Sequence, residues 1–249
     1  MEINFRNISL KSKNKYLIKD LNFKVNGNEI TGIIDESKVI NKLLKEDIEG
    51  SIEYPKDKKI KYIEHDFLTK TVSDEFFLVK MDVDDNNYIE KIRSSLNLVG
   101  LNEDYLEREI NTLSNSEKTL ITIALSIITN PDIIIFDNIF KSLDKKYKVT
   151  IKNLIKELKK NYQKQVIVID NDINILYEIC THLIIFNNYN IVLDKNMNEA
   201  FNNLEIFDNY DIDIPFLVEF SNNALNYSKK IKYYKNINDL VKEVYKNAK

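Results

Sequence analysis

The stretch Ile110 to Asp144, INTLSNSEKTLITIALSIITNPDIIIFDNIFKSLD, decides the fold. Ser114 is placed to cap a helix, and Glu117, three residues on, completes a capping box. Ile121, Ala124, Leu125 and Ile128 fall at helical spacing and define one apolar face. Asn130-Pro131 ends that helix, because the residue before a proline is driven out of helical geometry. Ile133 to Phe136 is a short unbroken apolar run, as a fully buried parallel strand requires. Asp137 follows at once, at the carboxyl end where open α/β sheets place their ligands.

Working outward, the same grammar repeats. Residues 2–10 alternate as a strand and Leu21 to Val25 as a second, with Asn26-Gly27-Asn28 as a turn and Ile30 to Ile34 as a buried strand. Gly50 to Tyr54 and Ile60 to Ile63 read as strands, and Tyr88 to Val99 as an amphipathic helix. Beyond Asp144 come a helix over Val149 to Leu158, a buried strand over Val166 to Ile169, a helix up to Cys180, and strands over Leu183 to Phe186 and Tyr189 to Leu193. The tail from residue 205 carries Ile214-Pro215-Phe216-Leu217 as a helix start, a strand-like Ile231 to Tyr234 and a closing helix at Ile237 to Val241.

Composition bounds the function. The 249 residues suffice for one large α/β unit with a full core. The net charge of −3 gives no global basic field, so nucleic acid is not expected as a partner. No apolar run approaches the roughly 18 residues of a spanning helix, and no secretory leader opens the chain. One cysteine, Cys180, excludes an internal disulfide framework and falls in an apolar helical pattern. Glu64, His65 and Asp66 do not read as a metal cluster, because neighbours on an extended chain point opposite ways. Only four glycines are present, Gly27, Gly32, Gly50 and Gly100, and no two are adjacent. A loop that cradles phosphate on backbone N–H groups normally needs glycines, since side chains block the approach.

The Ile110 to Asp144 stretch resembles the ABC transporter ATPases. In that family a glycine-rich signature, L-S-G-G-Q, opens a helix that leads to the Walker B strand. There an Asp holds magnesium and the following Glu polarises the attacking water. Leu113 to Glu117 stand at the signature, Asp137 at the Walker B Asp, and Ser142-Leu143-Asp144 at the D-loop. The catalytic Glu is replaced by Asn138, and both signature glycines by Asn115 and Ser116. The resemblance implies an α/β fold of the ABC-type P-loop kind: a mainly parallel core sheet flanked by helices, an N-terminal antiparallel β part and a small helical subdomain at about 67–118. The ATPase-like domain would span 1–204, with an α/β extension over 205–249.

The resemblance also tells which residues to test. The phosphate loop should read G-x-x-x-x-G-K-S/T after the strand ending at Ile34, but the chain gives Asp35-Glu36-Ser37-Lys38-Val39. Ser37 and Lys38 are the candidates for nucleotide contact on this side, and Ser114, Asn115 and Ser116 on the signature side; Asp137 is the magnesium candidate. Asp35 and Glu36 bring negative charge where a polyphosphate would lie, and at 4 Å even a solvated like-charge pair repels by about 1 kcal/mol. His65 stands at the Q-loop position, Asn171 at the switch histidine, and Tyr16 near the adenine-stacking aromatic. ATP and magnesium are therefore expected only weakly, if at all, at this chain's own loop. Phe76, Phe77 and Leu78 either pack inside or face a membrane partner.

The tail resembles the extension of the energy-coupling factor ATPases, which drive importers of vitamins and trace metals as ATPase pairs on a transmembrane scaffold. The expected function is a catalytically impaired half of such a pair, at the cytoplasmic face of the membrane, with a second ABC ATPase subunit and a transmembrane scaffold as partners. Two alternatives stay open: a still-active atypical ATPase subunit, and a soluble interaction protein that has left transport.

Overall fold

The computed structural model describes residues 2–12, 15–64, 66–79, 85–225 and 237–247. His65 and the strand expected over 231–234 lie outside the described residues. Contacts divide the chain into two compact units, one built mainly from 53–169, the other from 4–24, 31–52 and the chain from 170 on.

The second unit begins with β1 (Glu2–Ser12) and β2 (Lys15–Asn26), continues through β3 (Ile30–Asp35) and α1 (Val39–Lys45), and adds β4 (Glu49–Glu53). The order in the first sheet is β2-β1-β4. Strand β2 starts six residues earlier than its apolar alternation suggests. Asp20 sits in the left-handed region (φ 53°) and gives its N–H to Ser9 Oγ at 3.0 Å, which breaks the alternation but not the strand. Phe5 stacks on Phe23 with ring centres 4.0 Å apart. Every residue of β3 is buried, including Thr31 and Asp35 beside the apolar Ile30, Ile33 and Ile34.

The first unit carries β5 (Ile60–Tyr62), α2 (Val72–Leu78), α3 (Asp85–Leu98), α4 (Asn115–Ile127), β6 (Ile133–Asp137), α5 (Lys145–Lys160) and β7 (Gln165–Ile169). Strands β5, β6 and β7 pair in parallel. Ile133 to Phe136 are at most 2% exposed. Helix α4 turns Leu120, Ile121, Ile123, Ala124 and Leu125 inward. Helix α5 starts at Lys145, a full turn before the expected Val149, with the extended Asp144 as its N-cap residue. The alternative left open for Phe76 to Leu78 splits: Phe76 is fully buried, while Phe77 and Leu78 are 60% and 51% exposed.

The second unit closes with α6 (Ile173–Ile179), β8 (His182–Asn187), β9 (Asn190–Asn196), α7 (Met197–Ala200), α8 (Glu205–Asn209), α9 (Phe216–Leu225) and α10 (Ile237–Asn247). Strand β3 pairs with β8 in parallel, and β8 with β9 antiparallel. Strand β9 begins at Asn190 rather than Tyr189, since Asn188 and Tyr189 both take positive φ, 46° and 66°, in a two-residue hairpin turn. Within β3, Gly32 allows α6 to approach. A Cβ there would lie 2.9 Å from Cys180 Sγ and 3.3 Å from Leu176 Cδ2. Cys180 is 1% exposed, so its thiol acts as a small apolar group.

That contact gives a direct test of the β3–α6 seam. Gly32→Ala is expected to lower unfolding stability by about 1–3 kcal/mol, the usual cost of overpacking. Adding Cys180→Ala removes the facing sulfur and should recover part of the loss. Urea unfolding of the two variants and of the double mutant measures it; equal losses with and without the sulfur would show that the contact does not limit packing.

Candidate functional site

The residues singled out by sequence lie in two clusters, one in each unit. In the second unit, β3 ends in Asp35, which is 4% exposed. Its carboxylate does not face solvent. Oδ1 accepts the Val39 N–H and Oδ2 the Ile40 N–H, both at 2.8 Å. These are first-turn donors of α1, which no helix carbonyl can satisfy. The Asp35 carbonyl accepts the Lys38 N–H at 3.2 Å, and Lys38 takes the left-handed conformation (φ 54°, ψ 40°) with its side chain exposed. The sequence reading treats Asp35 as a charge facing a ligand; the geometry makes it an internal cap. Val39 is buried.

Glu36, Ser37 and Asn171 line one cavity of about 140 Å³, together with Tyr210, Asp211 and Asp213. The structure thus brings Ser37 and Asn171 together, as the family pattern implies. It adds a wall that the sequence reading missed, because residues past 205 were read as a separate extension. Two of the three wall residues named are carboxylates, and Glu36 makes a third on the cavity's edge. Lys38 does not line this cavity. Asn171 is exposed, and the following Asp172 caps α6 by accepting the Asn174 N–H at 3.0 Å. Tyr16 is 47% exposed and lies under Lys11, 4.6 Å from ring centre to Nζ.

In the first unit, Ser114 caps α4 as expected. Its Oγ accepts the Glu117 N–H at 3.2 Å, and Glu117 Oε2 accepts the Ser114 N–H at 2.8 Å. Asn115 is exposed and Ser116 is buried. Ser116 Oγ accepts the Asp144 N–H at 3.2 Å, tying the start of α4 to the start of α5. The side chain that replaces the second signature glycine is therefore turned inward. Glu117, which replaces the signature glutamine, also accepts the Tyr105 hydroxyl at 2.7 Å and the Arg108 guanidinium at 2.8 Å on Oε1. These bonds hold the carboxyl well below its ordinary range, down to about 2, with the Tyr105 hydroxyl as the leading cause. Burial and the same carboxylate push the Tyr105 phenol up to about 12.

Asp137 ends β6 and is half-buried. Its Oδ2 accepts the Tyr62 hydroxyl, and its Oδ1 accepts the Asn138 side-chain amide at 2.5 Å. Asn138 is left-handed (φ 50°), a conformation asparagine tolerates better than most residues, and its N–H donates to the Ile169 carbonyl at 2.8 Å. Asn115, Asp137 and Asn138 line one cavity of about 340 Å³ with Lys118, Thr119 and Ser142. Among the described residues no three His, Cys, Asp or Glu side chains are grouped to hold a metal. Tyr62 is the residue that sequence reasoning missed. It sits on the neighbouring strand opposite Ile135, two places before Asp137, so no local pattern announces it.

The depressed Glu117 carboxyl has a sign that can be measured. A carboxylate held below its unfolded value stabilises the fold above about pH 4.5, and that contribution fades as pH falls towards about 2. Glu117→Gln should therefore lose stability at neutral pH, and the gap to the wild type should close between about pH 4.5 and 2. A gap that stays constant across that range, read by urea unfolding at each pH, would show that the hydrogen bonds from Tyr105, Ser114 and Arg108 do not hold the carboxyl down.

Comparison with known proteins supplies the family. Residues 18–141 match the ABC transporter family model. The chain is 29% identical over 159 residues to the energy-coupling factor transporter ATP-binding protein EcfA1 of Mesomycoplasma hyopneumoniae (strain 7448), covering 64% of this chain and 58% of that protein. It is 26% identical over 193 residues to EcfA2 of Acetivibrio thermocellus, covering 77% and 64%. It thus spans less than two thirds of either relative. Among solved structures, cbiO1 of Clostridium perfringens, part of the ABC transporter complex cbiONQ, superposes with a TM-score of 0.68 at 18% identity, covering 88% of this chain and 97% of that one. Residues 18–141 thus carry an ABC transporter domain, and the capped α4 and the buried strand ending in Asp137 lie within it.

Proposed function

We propose that this chain is the ATP-binding-cassette subunit of an energy-coupling-factor-type importer, acting as the non-hydrolysing half of an ATPase pair. The observation that carries the reading is Asp35. A phosphate-binding helix start offers its free N–H groups and its positive dipole end to an anion. Here the carboxylate of Asp35 already accepts from Val39 and Ile40. An incoming phosphate would have to displace a buried, covalently tethered anion. The carboxylates of Glu36, Asp211 and Asp213 around the adjoining cavity oppose it further.

The Walker B side supports the same reading. Both Asp137 oxygens accept from protein donors, Tyr62 and Asn138, and Val39 offers no oxygen where the family has a magnesium-binding hydroxyl. These residues do not fit a magnesium site. Asn138 amide nitrogen cannot take a proton from water, and loss of a general base alone costs about 10²–10⁴-fold in rate. Hydrolysis then falls to a partner ATPase. This chain keeps Ser114 and the backbone of the signature turn to offer across a shared site, weakened by Asn115 and Ser116 in place of the two glycines.

Coupling to a membrane scaffold is supported by an apolar surface. Leu68, Phe77 and Leu78 are 79%, 60% and 51% exposed. The first is fixed beside α2 because the buried Glu75 carboxylate accepts the Leu68 and Thr69 N–H groups, each at 2.6 Å. Among the described residues no helix is long and apolar enough to cross a membrane. In the proposed arrangement the scaffold is a separate subunit and this chain sits at its cytoplasmic face.

Calorimetry with magnesium and ATP should give no binding heat for the wild type or for Lys38→Ala. Micromolar binding that Lys38→Ala abolishes would overturn the reading in favour of a working ATPase. Purified from its native cells, the wild-type chain should bring with it a multi-span membrane protein and a second ATPase. Phe77→Glu should lose the membrane protein while keeping the ATPase. Retention of both by the variant would show that Phe77 does not touch the scaffold, and capture of neither by the wild type would favour a protein outside transport.

A further inference from the structure

The first unit holds a second cavity, of about 220 Å³, which shares no lining residue with the cavity at Asp137. Helix α3 and the C-terminal ends of α4 and α5 converge on it. Its floor is apolar. Ile128, Ile134 and Leu158 line it and are 6%, 0% and 3% exposed. Its charges are of one sign: Lys91 and Lys164 are among the lining residues, and no carboxylate is.

Lys164 is the informative group. Its ammonium donates to Asn130 Oδ1 at 2.7 Å, one of the three bonds an ammonium can make. Burial lowers its pKa, and Asp132 partly offsets that. Asp132 attracts Lys164 by charge alone: the bonds it accepts come from Lys58 Nζ at 3.4 Å and the Lys59 N–H at 3.0 Å, and it does not line the cavity. A partly desolvated cation beside an apolar floor is costly unless an anion meets it. The space corresponds to roughly seven water-sized groups. An apolar floor with a few polar groups that fix orientation is the usual make-up of a small-molecule site.

We infer that this cavity binds a small amphipathic carboxylate, its short apolar tail on Ile128, Ile134 and Leu158 and its head group at Lys164. Neither the catalytic clusters nor the proposed importer role predicts such a site, and the inference stands without that role. The carboxylate class follows from the pairing of cation and apolar floor. A neutral amphiphile would bring no anion to Lys164, whose hydrogen bond is to a neutral amide, and a polyphosphate would leave the floor bare.

Octanoate is the probe, with 1-octanol as its neutral counterpart, followed by methyl NMR of labelled isoleucine and leucine in the full chain. Octanoate should shift the Ile128, Ile134 and Leu158 methyls and saturate at about 0.1–5 mM. Octanol should bind more weakly. Lys164→Gln should weaken octanoate about tenfold, the scale of one charge-assisted hydrogen bond, and leave octanol unchanged. Ser94→Trp, at an exposed lining position on α3, should block both ligands while the remaining spectrum stays folded. Absence of saturable shifts, or shifts that survive Ser94→Trp, would overturn the site. Equal affinity for octanoate and octanol, or indifference to Lys164→Gln, would overturn the assignment to an anion.

Discussion

A carboxylate folded back onto its own helix start sets the character of this molecule. Asp35 leaves β3, is buried, and closes the first turn of α1 through two N–H bonds. A glycine-rich loop solves the problem of orphan helix donors by leaving them for a ligand. A chain with four glycines solves it from within. Helix α1 then no longer depends on nucleotide for its N-terminal bonds, and the seven-residue helix can form on the ligand-free chain.

The same use of internal partners recurs at the other positions where the residues differ from the family pattern. Ser116 anchors the start of α5. Glu117 gathers Tyr105, Arg108 and the Ser114 N–H. Asn138 takes a left-handed turn and bonds Asp137. A chain losing its fold would leave such polar groups unmatched, at about 1–3 kcal/mol for each buried one. Here the replacements are integrated into the structure, which is what continued use of the fold requires.

The fold was legible because its signals are local and redundant. The Ser114–Glu117 capping box, the Ile133 to Phe136 run and the Asn130-Pro131 stop each specify structure within a few residues, and each is seen. Boundaries failed where one backbone angle decided them: Asp20 within β2, and Asn188-Tyr189 before β9. The candidate sites were half legible. Positions could be assigned from spacing, but side-chain direction could not. Nothing in the order of residues says that Asp35 points inward, that Tyr62 on the next strand meets Asp137, or that Asp211 and Asp213 wall the cavity beside Glu36. Those are long-range facts, fixed by strand register and by the path of the tail.

The bonds of Glu75 carry a mechanical meaning. Its carboxylate lies fully inside α2's packing and grips the backbone at Leu68 and Thr69, while the Thr69 hydroxyl adds a third bond at 2.9 Å. A load applied to the exposed Leu68 side chain cannot be absorbed by bending the 68–69 segment unless charge-assisted bonds worth about 1.5–3 kcal/mol each are broken first. The segment and helix therefore behave as one stiff lever. A push on Leu68 is therefore carried into α2 one residue before the buried Phe76.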